Sequence, residues 1–436
     1  MRVLSEAPIM KSHAFCLIVA LIPGMALAQA WPDGPPNRPG ITPAFPNQTE
    51  APADITNPAP ALSLVTEGLD TPWAIAVLPG MAGYLVTERD GQLRHVARDG
   101  MISSPITGLP DIVAQRQGGL LDIALSPDFA RSRLLYLTYS APDGLGRSAT
   151  AAARARLSDD HTQLLELVEI FRQSPAATAP GHYGSRIEPL PDGSLALTTG
   201  DRMRHADRAQ DPATGYGAVI RIMPDGSPAA ETARIPGALP GLVSFGHRNI
   251  QGIAHDPATG QLWTLEHGPA GGDELNLITP GGNYGWPVVS YGVNYNGREI
   301  GQGRAAHAPD FIAPRYYWDP VIAPGGMVIY GGAMFPEWRG DLLAAGLVAQ
   351  AVVRLDLAGD RVIAEERLAE GIGRVRDIAV DHDGSILFVT DEGGRSRLMR
   401  LSRQAKTSPV SARHRSPRAG KNRPIPHRPR LPDQPS

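Results

Sequence analysis

A glycine-rich stretch at residues 244–295 carries many of the side chains in this chain that could do chemistry. Arg, His, Asn, Asp, Glu and Tyr crowd there around two short apolar runs. Glycine lets the backbone adopt positive φ and approach a ligand closely, and loops on a rigid scaffold carry many binding and catalytic groups. We therefore predict a ligand site that is built partly from this stretch.

His182 and Asp201 could form a general base and the carboxylate that orients it. A turn and a β-rich run separate them, so a hairpin could return Asp201 to the neighbourhood of His182. A carboxylate beside an imidazole fixes its orientation and makes it a better base. A histidine beside a turn is more often a structural hydrogen-bonding residue, so the local sequence leaves both interpretations open.

Acidic residues and a pliable backbone coincide between Glu266 and Glu274, in the segment EHGPAGGDE. Hard cations such as Ca²⁺ take six to eight oxygen ligands, many of them backbone carbonyls from loops. The segment could therefore bind Ca²⁺. It could equally be a polar loop between strands in which Asp273 and Glu274 cap turns.

Two groups of cationic residues could bind an anionic ligand. Arg248 stands beside Asn249, whereas Arg374 and Arg376 occupy alternate positions, and hence one face, of a predicted strand. Guanidinium groups bind carboxylates through two parallel hydrogen bonds, so the second pair suits a ligand with several carboxylates. A surface ion-pair pattern with Asp377 is the alternative.

Several familiar site types are excluded by the motifs that the sequence lacks. It has no Walker A loop, no strand-linked GxGxxG, no GxSxG elbow and no HExxH. Sites for ATP and NAD, serine-hydrolase sites and zincin sites therefore have no support. Scattered His, Arg, acidic and glycine residues remain as the candidates.

The elements that must position these residues are short strands in a loose repeat. A turn such as Pro-Asp-Gly precedes a β-rich run, most clearly at residues 190–201 and 380–391. Six such copies over residues 62–403 give about 60 residues per unit, enough for one four-stranded sheet and a loop. We predict an all-β, six-bladed β-propeller of four-stranded antiparallel sheets, because radial repetition hides sheet edges. A pair of β-sandwiches or a β-helix is the competing prediction.

Residues 1–28 are predicted to be a signal peptide. Lys11 precedes an apolar run, and Ala26-Leu27-Ala28 has the small-x-small pattern of a signal peptidase site. The run is too short for a transmembrane helix, and no later stretch approaches 18 apolar residues. The chain is therefore expected to be periplasmic or secreted. The only cysteine, Cys16, lies in the signal, so a Cys-based zinc or redox site is excluded after processing.

The composition at both ends of the mature chain does not predict regular secondary structure. Recurrent prolines at residues 29–61 favour an extended linker, and the Pro- and Arg-rich residues 404–436 predict a disordered tail. That tail has a formal charge of +7 and the whole chain −3, so residues 1–403 carry −10. The negative body is not expected to bind nucleic acid.

Seven motifs follow one another in a fixed order within residues 62–403. They are QGGLLDIALSPDF at 117–129, the His182 segment with Asp201, GHRNIQG at 246–252, EHGP at 266–269, GDELN at 272–276, NYGWP at 283–287 and RVRD at 374–377. In these motifs and over residues 62–403, the chain resembles the soluble glucose/sorbosone dehydrogenase family, most closely its aldose sugar dehydrogenase branch, whose members are six-bladed propellers that depend on Ca²⁺ and PQQ.

The resemblance implies oxidation of the anomeric hydroxyl of an aldose to a lactone, with hydride transfer to PQQ. Electrons would then pass to an external acceptor, a quinone or a cytochrome. The implied catalytic residues are His182 as general base, Asp201 as the group that orients it, and Arg248 as the group that stabilises charge on the quinone oxygen. The implied PQQ contacts are hydrogen bonds from Gln117 and Asn249, carboxylate pairing by Arg374 and Arg376, and a cofactor or substrate contact by Tyr295. The implied Ca²⁺ ligands are the Gly268 and Pro269 carbonyls, and, for a second, structural ion, Glu274 and the Tyr284 carbonyl.

Departures from the family pattern concern substrate fit and cofactor affinity. Members often have Phe-Gly-Gly-Arg after the histidine, whereas this chain has Tyr183-Gly-Ser185-Arg186, which adds a side chain near the proposed base. Some members use a cofactor-binding lysine where this chain has about Val348. We therefore expect PQQ binding to depend more strongly on the two arginines.

Two other functional classes are compatible with a propeller of this composition. A calcium-dependent sugar lactonase would hydrolyse its substrate and would not need the Arg374 and Arg376 pair. A non-catalytic propeller that binds glycans or a protein partner would not need His182.

Overall fold

The computed structural model describes residues 31–404, except 32–33, 231, 233 and 302–308. The predicted signal peptide lies outside the described residues, and so does the predicted tail from residue 405 onward. Among the described residues, none of the helices has the length and apolar character needed to cross a membrane.

Six antiparallel sheets form the body of the chain, which confirms the predicted β-propeller. The first strands of successive sheets contact one another in cyclic order, and the first strand of the last sheet contacts that of the first sheet. The described helical segments are short and include α1 (Phe129–Ser132) and the 3₁₀ turns Pro79–Met81, Ala206–Gln210 and Pro336–Trp338.

The strands follow the sheets in chain order after β1 (Ala61–Leu69). The first sheet contains β2 (Pro72–Val77), β3 (Tyr84–Glu88) and β4 (Gln92–Val96). The second contains β5 (Leu120–Leu125), β6 (Leu134–Pro142), β7 (Ser148–Leu157) and β8 (Leu164–Arg172). The third contains β9 (Gly184–Pro189), β10 (Leu195–Thr199), β11 (Val219–Ile222) and β12 (Leu242–Ser244).

The remaining three sheets complete the ring. The fourth contains β13 (Ile250–His255), β14 (Leu262–Glu266), β15 (Asp273–Leu277) and β16 (Tyr316–Trp318). The fifth contains β17 (Pro324–Ile329), β18 (Leu342–Gly346), β19 (Ala351–Ala358) and β20 (Arg361–Leu368). The sixth contains β21 (Val375–Val380), β22 (Ile386–Thr390) and β23 (Ser396–Ser402), with β1 paired antiparallel to β23. The chain thus closes its ring by joining its first strand to its last.

The first sheet has three regular strands where four were expected. The fourth position is taken by an irregular segment that meets β4 through the bonds Ser103 N to His95 O and Ile106 N to Leu93 O, both 2.8 Å. Pro105 interrupts this segment because it has no N–H to give to a ladder, and proline in sheets is confined to such edges. The fourth strand position of the first sheet is therefore occupied, but the segment there does not form a regular strand.

The hydrophobic core is divided among the interfaces between neighbouring sheets. The interface of the first and second sheets is the largest cluster, with Trp73, Leu121 and Leu137 among its buried members. Similar clusters occupy each of the other interfaces around the ring. Burial of this kind contributes about 25 cal/mol per Å² of apolar area, so each blade is stabilised mainly by its two neighbours.

The innermost strands, β2, β5, β9, β13, β17 and β21, surround a central channel. Their later residues line a cavity of about 460 Å³ towards one end. Arg186 crosses the channel at the inner side of that cavity, where Nη1 lies 3.1 Å from Asp122 and 2.8 Å from Asp377. Its guanidinium also stacks over Trp73 and donates to the Gln251 carbonyl, and both of these residues line a second cavity near the other end. The two cavities therefore meet at one buried ion-paired arginine.

The Pro-rich segment before β1, which was predicted to be an extended linker, packs against the fourth sheet. Gln48 is buried and donates to the Tyr291 hydroxyl at 3.2 Å and to the Pro314 carbonyl at 2.8 Å. Asp319 accepts bonds from the backbone N–H groups of Asn37 and Arg38, both at 2.8 Å. The segment thus braces the part of the chain that follows β15.

Candidate active site

Most candidate site residues lie at one end of the channel, where the innermost strands begin. Gln117, His182, Asn249 and Arg374 each stand within three residues before the first residue of β5, β9, β13 or β21. Because these strands surround the axis, residues far apart in the chain converge at that end. The propeller therefore brings together the predicted residues of four different sheets.

His182 and Asp201 form the predicted pair. The His182 Nδ1 atom lies 2.7 Å from Asp201 Oδ1, and both side chains are buried. The hairpin of β9 and β10 returns Asp201 to this position, as the sequence predicted. Gln117 Oε1 accepts a bond of 2.8 Å from the His182 backbone N–H, and Trp286 Nε1 donates to Asp201 Oδ2 at 2.8 Å.

Burial lowers the pKa of His182, and the cations Arg248 and Arg202 lower it further, while the bond to Asp201 raises it. The net direction is downward from the ordinary 6.5, so the imidazole is neutral at neutral pH. With Nδ1 bonded to a carboxylate, the proton of the neutral ring belongs on Nδ1, and Nε2 is the basic nitrogen. The arrangement can therefore accept a proton at Nε2.

Arg202 is a functional residue that sequence reasoning missed. Its side chain is fully buried, and its guanidinium donates to the carbonyls of Ser148, Ala179 and Gly181. It also stacks on the Tyr183 ring at 3.9 Å. Arg202 therefore holds the backbone just before His182 against the start of β7. Only its position after Asp201 could have indicated this, because its partners come from the second sheet and from the loop before β9.

A cavity of about 120 Å³ lies beside the pair and is lined by cations and amides. Gln117, Asn249, Arg374 and Arg376 line it, together with Arg89, which sequence reasoning missed. Arg374 is exposed and Arg376 is buried, and the predicted placement of the two on one face is observed. Asn249 Oδ1 accepts from the Gly184 N–H at 3.1 Å, so this amide also joins two blades.

Buried guanidinium N–H groups without acceptors mark this end of the channel. Arg376 Nη2 lies 3.2 Å from Asp391 Oδ2, but its Nε atom has no hydrogen-bond partner among the described residues. The same is true of Arg248 Nε, although Arg248 Nη1 donates to the His267 carbonyl at 3.0 Å. Burial lowers the pKa of Arg376 to about 10, which leaves it charged at neutral pH. Donors of this kind fit an anionic ligand.

Tyr295 and His267 extend the surroundings of Arg248. Tyr295 is 80% exposed, and its hydroxyl lies 3.5 Å from Arg248 Nη2, so it stands at the edge of the site. His267 was not singled out in the sequence, yet it lines the cavity, and its Nε2 lies 2.6 Å from the Pro324 carbonyl. Burial, together with the charge of Arg376, lowers the pKa of His267 to about 3, so this ring stays neutral.

The predicted Ca²⁺ ligands line one further small cavity on the other side of Arg248. Gly268, Pro269, Glu274 and Tyr284 all border it, and so does Glu266. Among the described residues, no group of three or more His, Cys, Asp or Glu side chains is arranged to hold a metal ion. A cation there would therefore need backbone carbonyls, as the sequence reasoning assumed.

Glu266 and Glu274 are neighbours because they are directly opposite each other in the pairing of β14 with β15. Asn276 Nδ2 bridges them, at 2.9 Å from Glu266 and 3.2 Å from Glu274, while its Oδ1 has no partner among the described residues. Burial and the nearby Glu266 raise the pKa of Glu274 well above its ordinary value. A buried carboxylate, an adjacent partly buried one and an orphaned amide oxygen fit a bound cation.

Comparison with known proteins places the chain in a family. The sequence model of the glucose / sorbosone dehydrogenase family matches residues 69–400, which are the six sheets almost in full. The chain belongs to the glucose/sorbosone dehydrogenase family. It is 36% identical to the aldose sugar dehydrogenase YliI of Escherichia coli over 347 residues, which are 78% of this chain and 92% of that protein.

Two solved structures in this family extend the likeness to the fold. The soluble aldose sugar dehydrogenase from Escherichia coli in its apo form is 35% identical with a TM-score of 0.76, and the match covers 79% of this chain and 100% of that chain. The PQQ-bound aldose sugar dehydrogenase from Streptomyces coelicolor is 28% identical with a TM-score of 0.67, and the match covers 81% and 99% of the two chains.

The three residues that depart from the family pattern, Tyr183, Ser185 and Val348, leave the arginine-lined cavity open. The Tyr183 hydroxyl is buried and lies 2.7 Å from Ser148 Oγ, and its ring supports Arg202. Ser185 has a φ of 78°, which is unusual for a residue with a side chain, and its hydroxyl turns back to the Tyr183 carbonyl at 3.2 Å. Val348 is half exposed, and its neighbour Leu347 lines the cavity where other family members have a lysine nearby.

Replacing Asp201 by asparagine is expected to weaken the base. Asp201 raises the pKa of His182, so its loss moves the acid limb of the pH profile of kcat/KM to lower pH. A weaker base also abstracts a proton more slowly, and we expect the plateau rate to fall roughly tenfold or more. In the unaltered protein the acid limb should lie below pH 6.5. A limb that moves to higher pH in Asp201→Asn would contradict this assignment.

Proposed function

We propose that this chain is an exported quinoprotein oxidoreductase that oxidises the anomeric hydroxyl of aldoses to lactones with PQQ and Ca²⁺. The observation that carries the proposal is the His182–Asp201 pair beside a cavity that is lined by three arginines, of which the buried Arg376 has an Nε–H without an acceptor among the described residues. The names of the Escherichia coli and Streptomyces coelicolor relatives, both aldose sugar dehydrogenases and the second bound to PQQ, support the same reaction.

The residues of the arginine-lined cavity fit PQQ. This cofactor carries several carboxylates, and Arg374, Arg376 and Arg89 could pair with them. Gln117 and Asn249, which line the same cavity, could donate amide hydrogen bonds. Arg248, which lines the small neighbouring cavity, could stabilise negative charge on a quinone oxygen. PQQ, when bound, supplies the acceptor for the hydride of the anomeric carbon.

The protein's part in the reaction is proton transfer and positioning. His182 Nε2 would take the proton of the anomeric hydroxyl, and Asp201 would hold the ring and stabilise the imidazolium that forms. The backbone around His182 is fixed by Arg202 and Gln117, so the base is held in place before the substrate arrives. The proton then leaves to solvent, and the two electrons leave to an external quinone or cytochrome.

Reconstitution of the apo-protein tests the proposal. Purified protein with added Ca²⁺ and PQQ should reduce an artificial dye in the presence of aldoses, and PQQ should change its absorption spectrum on binding. The absence of both effects would overturn the dehydrogenase assignment. Hydrolysis of sugar lactones without PQQ would instead identify the calcium-dependent lactonase.

Removal of Ca²⁺ is expected to destabilise the folded protein. Without a cation, Glu266 and Glu274 would lie side by side in the interior, which is unfavourable for two carboxylates. A ligand at a thousandfold excess over its Kd contributes about 4 kcal/mol, so a chelator should lower the melting temperature measurably. Glu274→Gln should reduce this response, while Asp159→Asn, at a side chain that is 95% exposed, should not. Equal melting temperatures with and without chelator would contradict the second Ca²⁺ site.

A further inference from the structure

A third cavity, of about 500 Å³, opens beside the candidate base. It is lined by Arg116, Gln117, Pro180, Met203 and Arg204. Gln117 also lines the arginine-lined cavity, so the two spaces share a wall.

The remaining lining residues tie this cavity to the catalytic pair. Pro180 stands two residues before His182, and its carbonyl accepts from the Gln117 N–H at 3.2 Å. The Met203 N–H donates to Asp201 Oδ1 at 2.7 Å. Gln117 also accepts from the His182 backbone N–H, so Pro180, Met203 and Gln117 each tie the wall of this cavity to the base or its carboxylate. A substrate that reaches His182 would therefore border this cavity.

Two unmatched cations stand in this cavity. Arg116 and Arg204 are exposed, and within the described part of the chain neither guanidinium has a hydrogen bond or an ion pair. Other arginines near the same sheets do have such partners, for example the exposed Arg147 with Asp143 and the partly exposed Arg156 with Glu166.

The backbone fixes where these cations stand. Arg116 has a φ of 56°, within the tight turn that Gly118 N closes with the Gln115 carbonyl. The Arg204 N–H donates to the Arg202 carbonyl, directly beside the Arg202 clamp. The rest of the body carries an excess of negative charge, whereas two guanidinium groups without partners make this cavity locally cationic.

We propose that this cavity selects aldoses that carry an anionic group, a carboxylate or a phosphate, at a position remote from the anomeric carbon. The inference rests on the proposed dehydrogenase function and names its substrate class. A planar guanidinium binds either oxyanion through two hydrogen bonds, and Pro180 and Met203 offer an apolar surface to the sugar ring.

The chemistry at the anomeric centre is the same for neutral and anionic aldoses. The anomeric carbon loses a hydride and its hydroxyl loses a proton. Together these losses remove two electrons and convert the C–OH group into the carbonyl of the lactone. The hydride and the proton go to the acceptors already named, and the anionic group is carried unchanged into the product.

The expected preference for anionic over neutral aldoses is modest because Arg116 and Arg204 are exposed to solvent. An exposed ion pair contributes about 0.2–1 kcal/mol, and a contribution of about 0.7 kcal/mol is roughly a threefold effect. Two such effects multiply, so the two arginines should give about a tenfold higher kcat/KM for anionic aldoses. Because such pairs are screened at ionic strengths where the Debye length is about 8 Å or less, the preference should shrink as salt is added.

The experiment compares glucose, glucuronate and glucose 6-phosphate as substrates of the reconstituted full-length protein. The variants are Arg116→Gln, Arg204→Gln and their combination, with Arg156→Gln as the control at a partly exposed arginine of β7 that does not line the cavity. The double variant should lose about tenfold in kcat/KM for at least one anionic sugar and much less for glucose. The carboxylate and phosphate arms show which oxyanion is preferred.

Calorimetric titration of glucuronate and of glucose 6-phosphate into the protein gives a readout that does not need turnover. Weaker binding of an anionic sugar in the double variant, with binding unchanged in Arg156→Gln, supports the proposal. Equal losses for glucose and the anionic sugars, or no loss at all, would overturn it while leaving the dehydrogenase in place. If the protein oxidises none of these aldoses, the proposed dehydrogenase function is wrong. The titration would still decide whether the cavity binds anionic sugars.

Discussion

Replacing His182 by alanine is expected to lower kcat for aldose oxidation by about 10²–10⁴-fold, the usual contribution of a positioned general base. The substitution removes Nε2 as proton acceptor, because Nδ1 is already bonded to Asp201. It leaves the backbone N–H that donates to Gln117, so the local backbone keeps its anchor. Turnover by dye reduction and PQQ affinity by absorbance titration measure the two effects separately.

The control for this prediction is His161→Ala. His161 lies between β7 and β8, where its ring contacts His95 at 4.8 Å, and it should leave turnover unchanged. PQQ affinity should change little in His182→Ala, and its melting temperature should stay close to that of the unaltered protein, because Asp201 keeps the bonds from Trp286 and Met203. Lost PQQ affinity with normal turnover at saturating cofactor would reassign His182 to cofactor binding.

The features of the fold that could be predicted from the sequence are those that depend on residues close together in the chain. Repeated turns between short β-rich runs fixed the number of sheets, because each hairpin depends on neighbouring residues. The irregular edge at residues 102–106 was missed because Pro105 interrupts the strand pairing there, and the segment Ile-Ser-Ser-Pro-Ile has too weak a pattern to predict a strand. The packing of Gln48 and its neighbours was missed because its partners lie more than 240 residues away.

The same distinction separates the site residues that were predicted from those that were missed. His182 and Asp201 belong to one hairpin, so their meeting could be inferred from turn and strand alone. The roles of Arg202 and Arg89 could not be predicted from the sequence, because their contacts depend on which sheets converge at the channel. The contact of Glu266 with Glu274 was within reach, since these residues flank a short loop between paired strands.

Arg376→Gln is expected to weaken PQQ binding by about 30-fold or more, because truncating one partner of a buried charge pair costs about 2–5 kcal/mol. Arg376 is buried, lines the cavity and has an Nε–H without an acceptor among the described residues, so an anionic cofactor would satisfy it. Arg374 lines the same cavity but is exposed, and Arg374→Gln should cost less because solvent screens its charge. Titration of the apo-protein with PQQ measures both affinities.

Two further variants separate charge from geometry at Arg376. Arg376→Lys keeps the positive charge but loses the planar fork, so its PQQ affinity should fall between those of the unaltered protein and Arg376→Gln. The double variant Arg376→Gln, Asp391→Asn removes the carboxylate that Arg376→Gln would leave unpaired, so it should recover melting temperature without recovering affinity. Unchanged affinity in Arg376→Gln would mean that the cofactor does not bind in this cavity. Recovery of affinity in the double variant would mean that Arg376 acts only by compensating Asp391.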